Sequence, residues 1–175
     1  MMSSPRTPTI YQPARDVAWV PSRDVRLRMK QEARPTGHVD GAWWPRSRDL
    51  SAELPALLAA VSRQWGVCER FTYNMTMWEK AARNLIVDGV RVRLDAFRVQ
   101  PADIVTVVSG RNRSRLTLLV VPPESTPAAA HAALTAASQP GNTDSVDVLL
   151  GRSELSDTTS STERWEQEGG RVPTD

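Results

Sequence analysis

The residues with the clearest chemical potential in this sequence surround two adjacent tryptophans. Five candidate binding residues lie within nine positions: Asp40, Trp43, Trp44, Arg46 and Arg48. If residues 38–44 form a strand, the two indoles point to opposite faces of a sheet. One indole then joins a core beneath a helix, and an outward one flanked by guanidinium groups could stack on a base, a sugar or a partner's side chain. The alternative is that both indoles pack, one beneath the helix and the other beneath the N-terminal arm or the C-terminal tail.

A second candidate binding site is an arginine-rich turn. Arg111, Arg113 and Arg115 bring three guanidinium groups to one predicted hairpin tip, an arrangement suited to phosphates. The turn lacks the lysine and glycine spacing of a P-loop. A solvated, charged turn is the alternative. Five further basic residues on the outer faces of two strands could extend the turn into a stripe, or could simply protect a sheet face: Arg26, Arg28, Lys30, Arg91 and Arg93.

The formal net charge of +2 hides an uneven distribution. Residues 67–121 hold nine basic and five acidic groups, whereas residues 122–175 hold three basic and nine acidic groups. A basic body is therefore followed by an acidic tail. Such a tail has a high effective concentration and is expected to compete with an anionic ligand for the body.

The residues available for catalysis are few. Cys68 is the only cysteine, so it can form no internal disulfide, and His38 and His131 are the only histidines. No Ser/His/Asp arrangement, metal-ligand spacing or nucleotide fingerprint is present. We therefore expect no metal or cofactor, and we do not predict an enzyme.

The elements that must position these residues begin with amphipathic β patterns. Residues 25–30 alternate apolar and basic side chains, as a half-buried strand does. Asp88-Gly89 between two apolar runs predicts a hairpin, because both residues tolerate a positive φ. Strands are also predicted for residues 38–44 and 68–75 and on both sides of the arginine-rich turn.

Two main helices are predicted. Residues 49–65 show an apolar stripe at helical spacing, capped by Ser47 or Asp49, with Pro55 expected to cause a bend or a later start. Thr126 caps a second helix that has Pro127 at its first position. The predicted fold class is α+β, with a curved antiparallel sheet of about six or seven strands and both helices packed on one face. We predict one core that contains Leu54, Leu58, Val61, Val92, Leu118 and Val120.

The chain is predicted to divide into a disordered arm at residues 1–24, one α+β domain at residues 25–150 and a disordered acidic tail at residues 151–175. No apolar run is long enough for a membrane span, and the N-terminal residues do not resemble a signal peptide. We therefore expect a cytoplasmic protein without a membrane partner.

Three stretches of the sequence stand out together: TGHVDGAWWPRSRDLSAELPALLAAV at residues 36–61, NLIVDGVRVRLDAFRVQ at 84–100, and RLTLLVVPPESTPAAAHAALTAAS at 115–138. They resemble a family of uncharacterised actinobacterial proteins. The resemblance covers roughly residues 25–150. It implies a bacterial cytoplasmic protein, and it transfers no catalytic residue.

Three functional hypotheses follow from the sequence. The first is a non-enzymatic binding or regulatory protein that engages an anionic partner, nucleic acid foremost, through an arginine-rich sheet and hairpin. The second is a protein-interaction or self-assembly module with an exposed tryptophan as its anchor. The third is a small-molecule enzyme or sensor with a cleft at Asp40, Trp44 and Arg46.

Overall fold

A computed structural model describes residues 25–31, 37–110 and 114–152. Within these ranges a mixed sheet of seven strands lies between helices on its two faces. The strands are β1 Leu27–Met29, β2 Gly41–Trp43, β3 Cys68–Asn74, β4 Asn84–Val87, β5 Val90–Phe97, β6 Ile104–Ser109 and β7 Arg115–Val120. The helices are α1 Leu50–Trp65, α2 Pro127–Ala137 and α3 Val146–Leu149. The predicted α+β class, strand number and two main helices are confirmed.

The sheet differs from the predicted one in that it is not wholly antiparallel. Its order is β1-β2-β7-β6-β3-β5-β4, and the pairs β2–β7 and β3–β5 are parallel. Hairpin turns indicate only antiparallel neighbours, such as β4 and β5, where Asp88 and Gly89 have φ values of 49° and 77°. Parallel pairs join strands that are distant in sequence, and no local signal marks them.

The two main helices also lie on opposite faces, whereas the sequence suggested one face. Helix α1 packs on the core that contains Trp43, Phe71 and Leu118, and α2 and α3 pack on a second cluster that contains Trp44 and Leu119. All six residues predicted to share a core belong to the first cluster. The fully apolar end of β7 explains the second cluster, because successive side chains of one strand enter opposite layers.

Helix α1 starts at Leu50 despite the proline six positions into it. The Asp49 carboxylate accepts hydrogen bonds from the amides of Ser51 and Ala52, at 2.9 and 3.4 Å. The Glu53 carboxylate accepts from the Ser47 hydroxyl at 2.9 Å. These caps stabilise the first turn, so the helix continues through Pro55 instead of starting there.

No helix among the described residues has the length and apolar composition needed to cross a bilayer. The arm predicted at residues 1–24 and nearly all of the tail predicted at residues 151–175 lie outside the described ranges.

Candidate functional site

The double-tryptophan motif is built into the two cores. Trp43 is 1% exposed and stacks on Trp78, with ring centroids 5.3 Å apart and planes at 12°. Trp44 is 7% exposed and packs edge-on against His131 of α2. The predicted opposite orientation of the two indoles is therefore confirmed, whereas the exposed indole of the protein-interaction hypothesis is wrong. The second layer of helices, which the one-face prediction left out, covers Trp44.

The outer side of Trp44 is closed by an arginine. The Arg26 guanidinium lies 3.6 Å from the centre of the indole and donates hydrogen bonds to the carbonyls of Trp44 and Pro45, at 3.0 and 2.8 Å. Desolvation, with a smaller repulsion from Arg46, lowers the pKa of Arg26. The remaining cavity between Trp43, Trp44 and α1 holds about 40 Å³, which is room for water and not for a substrate.

Asp40 and Arg48 make structural contacts. Asp40 is buried, and its carboxylate accepts a hydrogen bond from the Thr117 amide at 2.7 Å, which extends the pairing of β2 with β7. Arg48 donates to the Glu124 carboxylate at 2.7 Å and to the Met77 carbonyl at 2.9 Å. Arg46 is exposed, and its backbone amide donates to Glu53. At the position of the predicted cleft, the structure therefore shows contacts that connect β2 with β7 and the segment before α1 with the segment before α2.

The basic residues do not form the continuous stripe that the sequence suggested. β1 is one edge strand, and four strands separate it from β5. Arg28 reaches Thr135 of α2, and the ammonium group of Lys30 donates to the Asn142 carbonyl at 2.8 Å. Helix α2 packs on β1 and β2. The basic side chains on the outer face of β1 are therefore directed at α2 and the loop that follows it.

The other half of that sheet face has no helix over it among the described residues. We call it the open half-face, and it consists of the outward side chains of four strands and the start of β7. Its members are Arg70, Thr72, Asn84, Ile86, Arg91, Arg93, Asp95, Phe97, Ile104, Thr106, Val108, Arg115 and Thr117. Four arginines and one aspartate give it a net charge of +3.

Three of these arginines fall in one row across the strands. Arg93 is the register partner of Arg70, Arg70 pairs with Val108, and Val108 pairs with Arg115. Asp95 bridges the first two, since its carboxylate accepts from the Nε of Arg93 at 2.8 Å and lies 3.3 Å from the Nε of Arg70. This bridge engages one edge of each guanidinium while both side chains remain more than half exposed.

A shallow groove adjoins the arginine row. Thr72, Phe97, Val99, Ile104 and Thr106 are among its lining residues, and its volume of about 420 Å³ could take a nucleobase or an aromatic side chain. Gln100 fixes the loop that forms one wall by donating to the carbonyls of Thr72 and Ile104. Asn74 fixes the same loop by donating to the carbonyls of Arg98 and Gln100.

Sequence reasoning found Arg93 and Arg115 but missed Arg70, Asp95 and the groove. Alternation in β3 and β5 places Arg70 and Asp95 outward, but their parallel pairing has no sequence signal. Arg111 and Arg113 lie outside the described residues and stay predictions.

Cys68 is buried in the core beneath α1. Burial raises the pKa of the Cys68 thiol, which favours its unreactive protonated form. Within residues 25–31, 37–110 and 114–152, no three His, Cys, Asp or Glu side chains converge as metal ligands would.

Comparison with known proteins adds a family and no activity. Neither the curated proteins nor the solved structures give a significant match. A family model described as a family of unknown function, DUF5994, matches residues 26–137. Because that match covers more than half of the sequence, this chain belongs to the DUF5994 family.

Proposed function

We propose that this chain is a non-enzymatic binding protein that engages an anionic partner, nucleic acid foremost, through the open half-face. The observation that supports this proposal is the row of Arg93, Arg70 and Arg115 across adjacent and near-adjacent strands. Guanidinium groups bind phosphate oxygens with paired donors, and strands spaced ~4.8 Å apart place them at intervals that several phosphates can meet.

The Asp95 bridge supports the same function. It holds two like charges side by side, so the guanidinium groups are positioned before a ligand arrives, and less side-chain entropy is lost on binding. The groove beside the row offers Phe97 for stacking, as proteins that bind single strands do with aromatic side chains. The exposed-tryptophan and cleft hypotheses have no comparable support, since Trp44 is covered by Arg26 and α2.

The test is a fluorescence anisotropy titration with a labelled single-stranded oligodeoxythymidine at two salt concentrations. The variant R70A/R93A/R115A should bind about tenfold or more weakly at low salt, because it loses its phosphate contacts. The slope of log affinity against log salt should also flatten by about 2, the value expected for three lost contacts to a single strand.

The matched control is R63A/K80A/R83A, which removes three exposed positive charges away from the open half-face. Its affinity for the oligonucleotide should stay within about twofold of that of the native chain, because it loses only long-range attraction and no direct phosphate contact. Undetectable binding at low salt by both the native chain and a chain without its acidic tail would overturn the proposal. An equal loss in both triple variants would assign the binding to overall charge and not to this surface.

A further inference from the structure

The strand at one edge of the sheet has outer backbone groups without a partner among the described residues. This strand, β4, is last in the sheet order, and it pairs only with β5. The Leu94 amide donates to the Arg83 carbonyl at 2.8 Å, so these two residues are a hydrogen-bonded pair of the β4–β5 ladder. Hydrogen-bonded and non-bonded pairs alternate along an antiparallel ladder. The amide and carbonyl groups of Asn84 and Ile86 therefore point away from β5, at the edge of the sheet.

The β4 edge has neither a charged side chain nor a proline within the strand. Edge strands of soluble proteins are commonly protected by charges, proline or a covering helix. At the opposite edge of the sheet, β1 carries Arg28 and adjoins α2. The sequence of β4 is NLIV, and the side chain of Ile86 is 69% exposed. The β4 edge is therefore open to pairing with another strand.

The apolar side chains of β4 are complementary to those of a second copy in the antiparallel orientation. Asn84 and Ile86 carry the outward backbone groups, so these residues must form the hydrogen-bonded pairs between two copies. One register pairs Ile86 with Ile86 of the second copy, which covers two exposed aliphatic side chains. The same register places Leu85 opposite Val87 on the side of α1. Every apolar residue of the strand thereby meets an apolar residue.

The charges that flank β4 favour the same orientation. Arg83 precedes the strand, Asp88 follows it, and both are exposed. An antiparallel pair brings Arg83 of each copy next to Asp88 of the other, so opposite charges meet at both ends of the interface. A parallel pair would place arginine beside arginine. A peptide without this charge pattern gains backbone hydrogen bonds but not these contacts, so a second copy fits the edge better.

We propose that two copies of this chain associate through β4, in an antiparallel pair centred on Ile86 that joins their sheets into one. This pairing does not rest on the function proposed above. It places both open half-faces on the same side of the joined sheet, because residues directly opposite each other in a ladder share a face. The interface of one short strand is small, so the dissociation constant of the dimer is on the order of tens of micromolar.

Sedimentation velocity of the full-length chain over a range of protein concentrations tests the association. The native chain should show a monomer–dimer equilibrium. Ile86→Pro removes an outward amide and no hydrogen bond to β5, and Ile86→Lys brings two like charges together at the centre of the interface. Each variant should weaken dimerisation about tenfold or more.

The matched control is Val99→Ser, which removes another exposed β-branched side chain. Val99 is 93% exposed and lies six positions beyond Arg93, the last residue of β5 that pairs with β4. This variant should leave the dissociation constant of the dimer within about twofold of the native value. A loss equal to that of the Ile86 variants would assign the association to the open half-face and would overturn pairing at the edge.

Amide hydrogen exchange followed by NMR tests the register. The Asn84 and Ile86 amides should exchange several times more slowly at high than at low protein concentration, whereas the Leu85 amide, already bonded to β5, should not change. A chain that stays monomeric at the highest concentration would overturn the proposal, as would a dimer that leaves the exchange of Asn84 and Ile86 unchanged. No oligonucleotide is present in these measurements, so their failure leaves the proposed function intact.

Discussion

Two strands of this protein have nearly identical sequence patterns, but their arginines are covered on one strand and exposed on the other. β1 lies in the stretch VRLRMK, residues 25–30, and β5 begins with VRVRLD, residues 90–95. Both direct aliphatic side chains toward α1 and arginines toward the other face. Around β1 those arginines pack against Trp44 and reach α2, whereas on β5 they remain exposed.

The difference teaches that an arginine on an amphipathic strand has no fixed role. Arg26 is a packing residue because an indole lies beneath it and two carbonyls lie within reach of its donors. Arg93 meets one carboxylate and solvent, so its remaining donors are available to a ligand. The covering helix, and not the strand sequence, distinguishes the two.

The largest expected effect comes from removing the indole of the covered half. Trp44→Ala should lower the free energy of unfolding by about 3–5 kcal/mol, since it leaves a large cavity beneath α2 and Arg26. Phe97→Ala, the open-half counterpart, should cost less than about 1 kcal/mol because that ring is half exposed. Chemical denaturation of both variants measures the difference. Equal losses would show that the open half is as well packed as the covered one.

An intermediate effect on the free energy of unfolding is expected when Arg26 and Arg93 are each replaced by alanine. Arg26→Ala removes a contact with an aromatic ring and two hydrogen bonds, and should cost about 1–2 kcal/mol of stability. Arg93→Ala removes an exposed ion pair and should change stability by less than about 0.5 kcal/mol. The same denaturation curves decide this, and a loss at Arg93 as large as that at Arg26 would contradict the assigned roles.

The smallest effect is expected at the surface ion pair between the segments that precede α1 and α2. Glu124→Gln should cost less than about 0.5 kcal/mol, because Arg48–Glu124 is largely exposed. The hydrogen bond from its own backbone amide, followed by that from Arg48, lowers the pKa of Glu124.

Because the folded state has the lower pKa, the stabilisation by Glu124 is complete above the unfolded value near 4.5 and is lost as pH falls through the folded value. The native chain and the Gln variant should therefore differ in stability at pH 7 and converge at acidic pH. A difference that grew on acidification would have the wrong sign for this pair.

Much of the fold follows from local patterns in the sequence. The apolar stripe of residues 50–61 predicts α1, Asp88-Gly89 predicts the β4–β5 turn, and Thr126-Pro127 predicts the start of α2. The opposite orientation of Trp43 and Trp44 follows from strand periodicity alone. These predictions succeed because each depends on residues within one turn, one helix or one strand.

The sequence by itself determined which side chains alternate, where helices are capped, which hairpin closes, and how charge is divided between the body and residues 153–175. Only the tertiary structure decided that β3 and β5 pair in parallel, which brings Arg70 beside Arg93 and Asp95. It also decided that α2 covers Trp44 and that no helix of the described residues covers the rest of that face. The reason is physical: local periodicity sets the side of a strand on which a residue lies, whereas long-range pairing and helix packing set what lies opposite it.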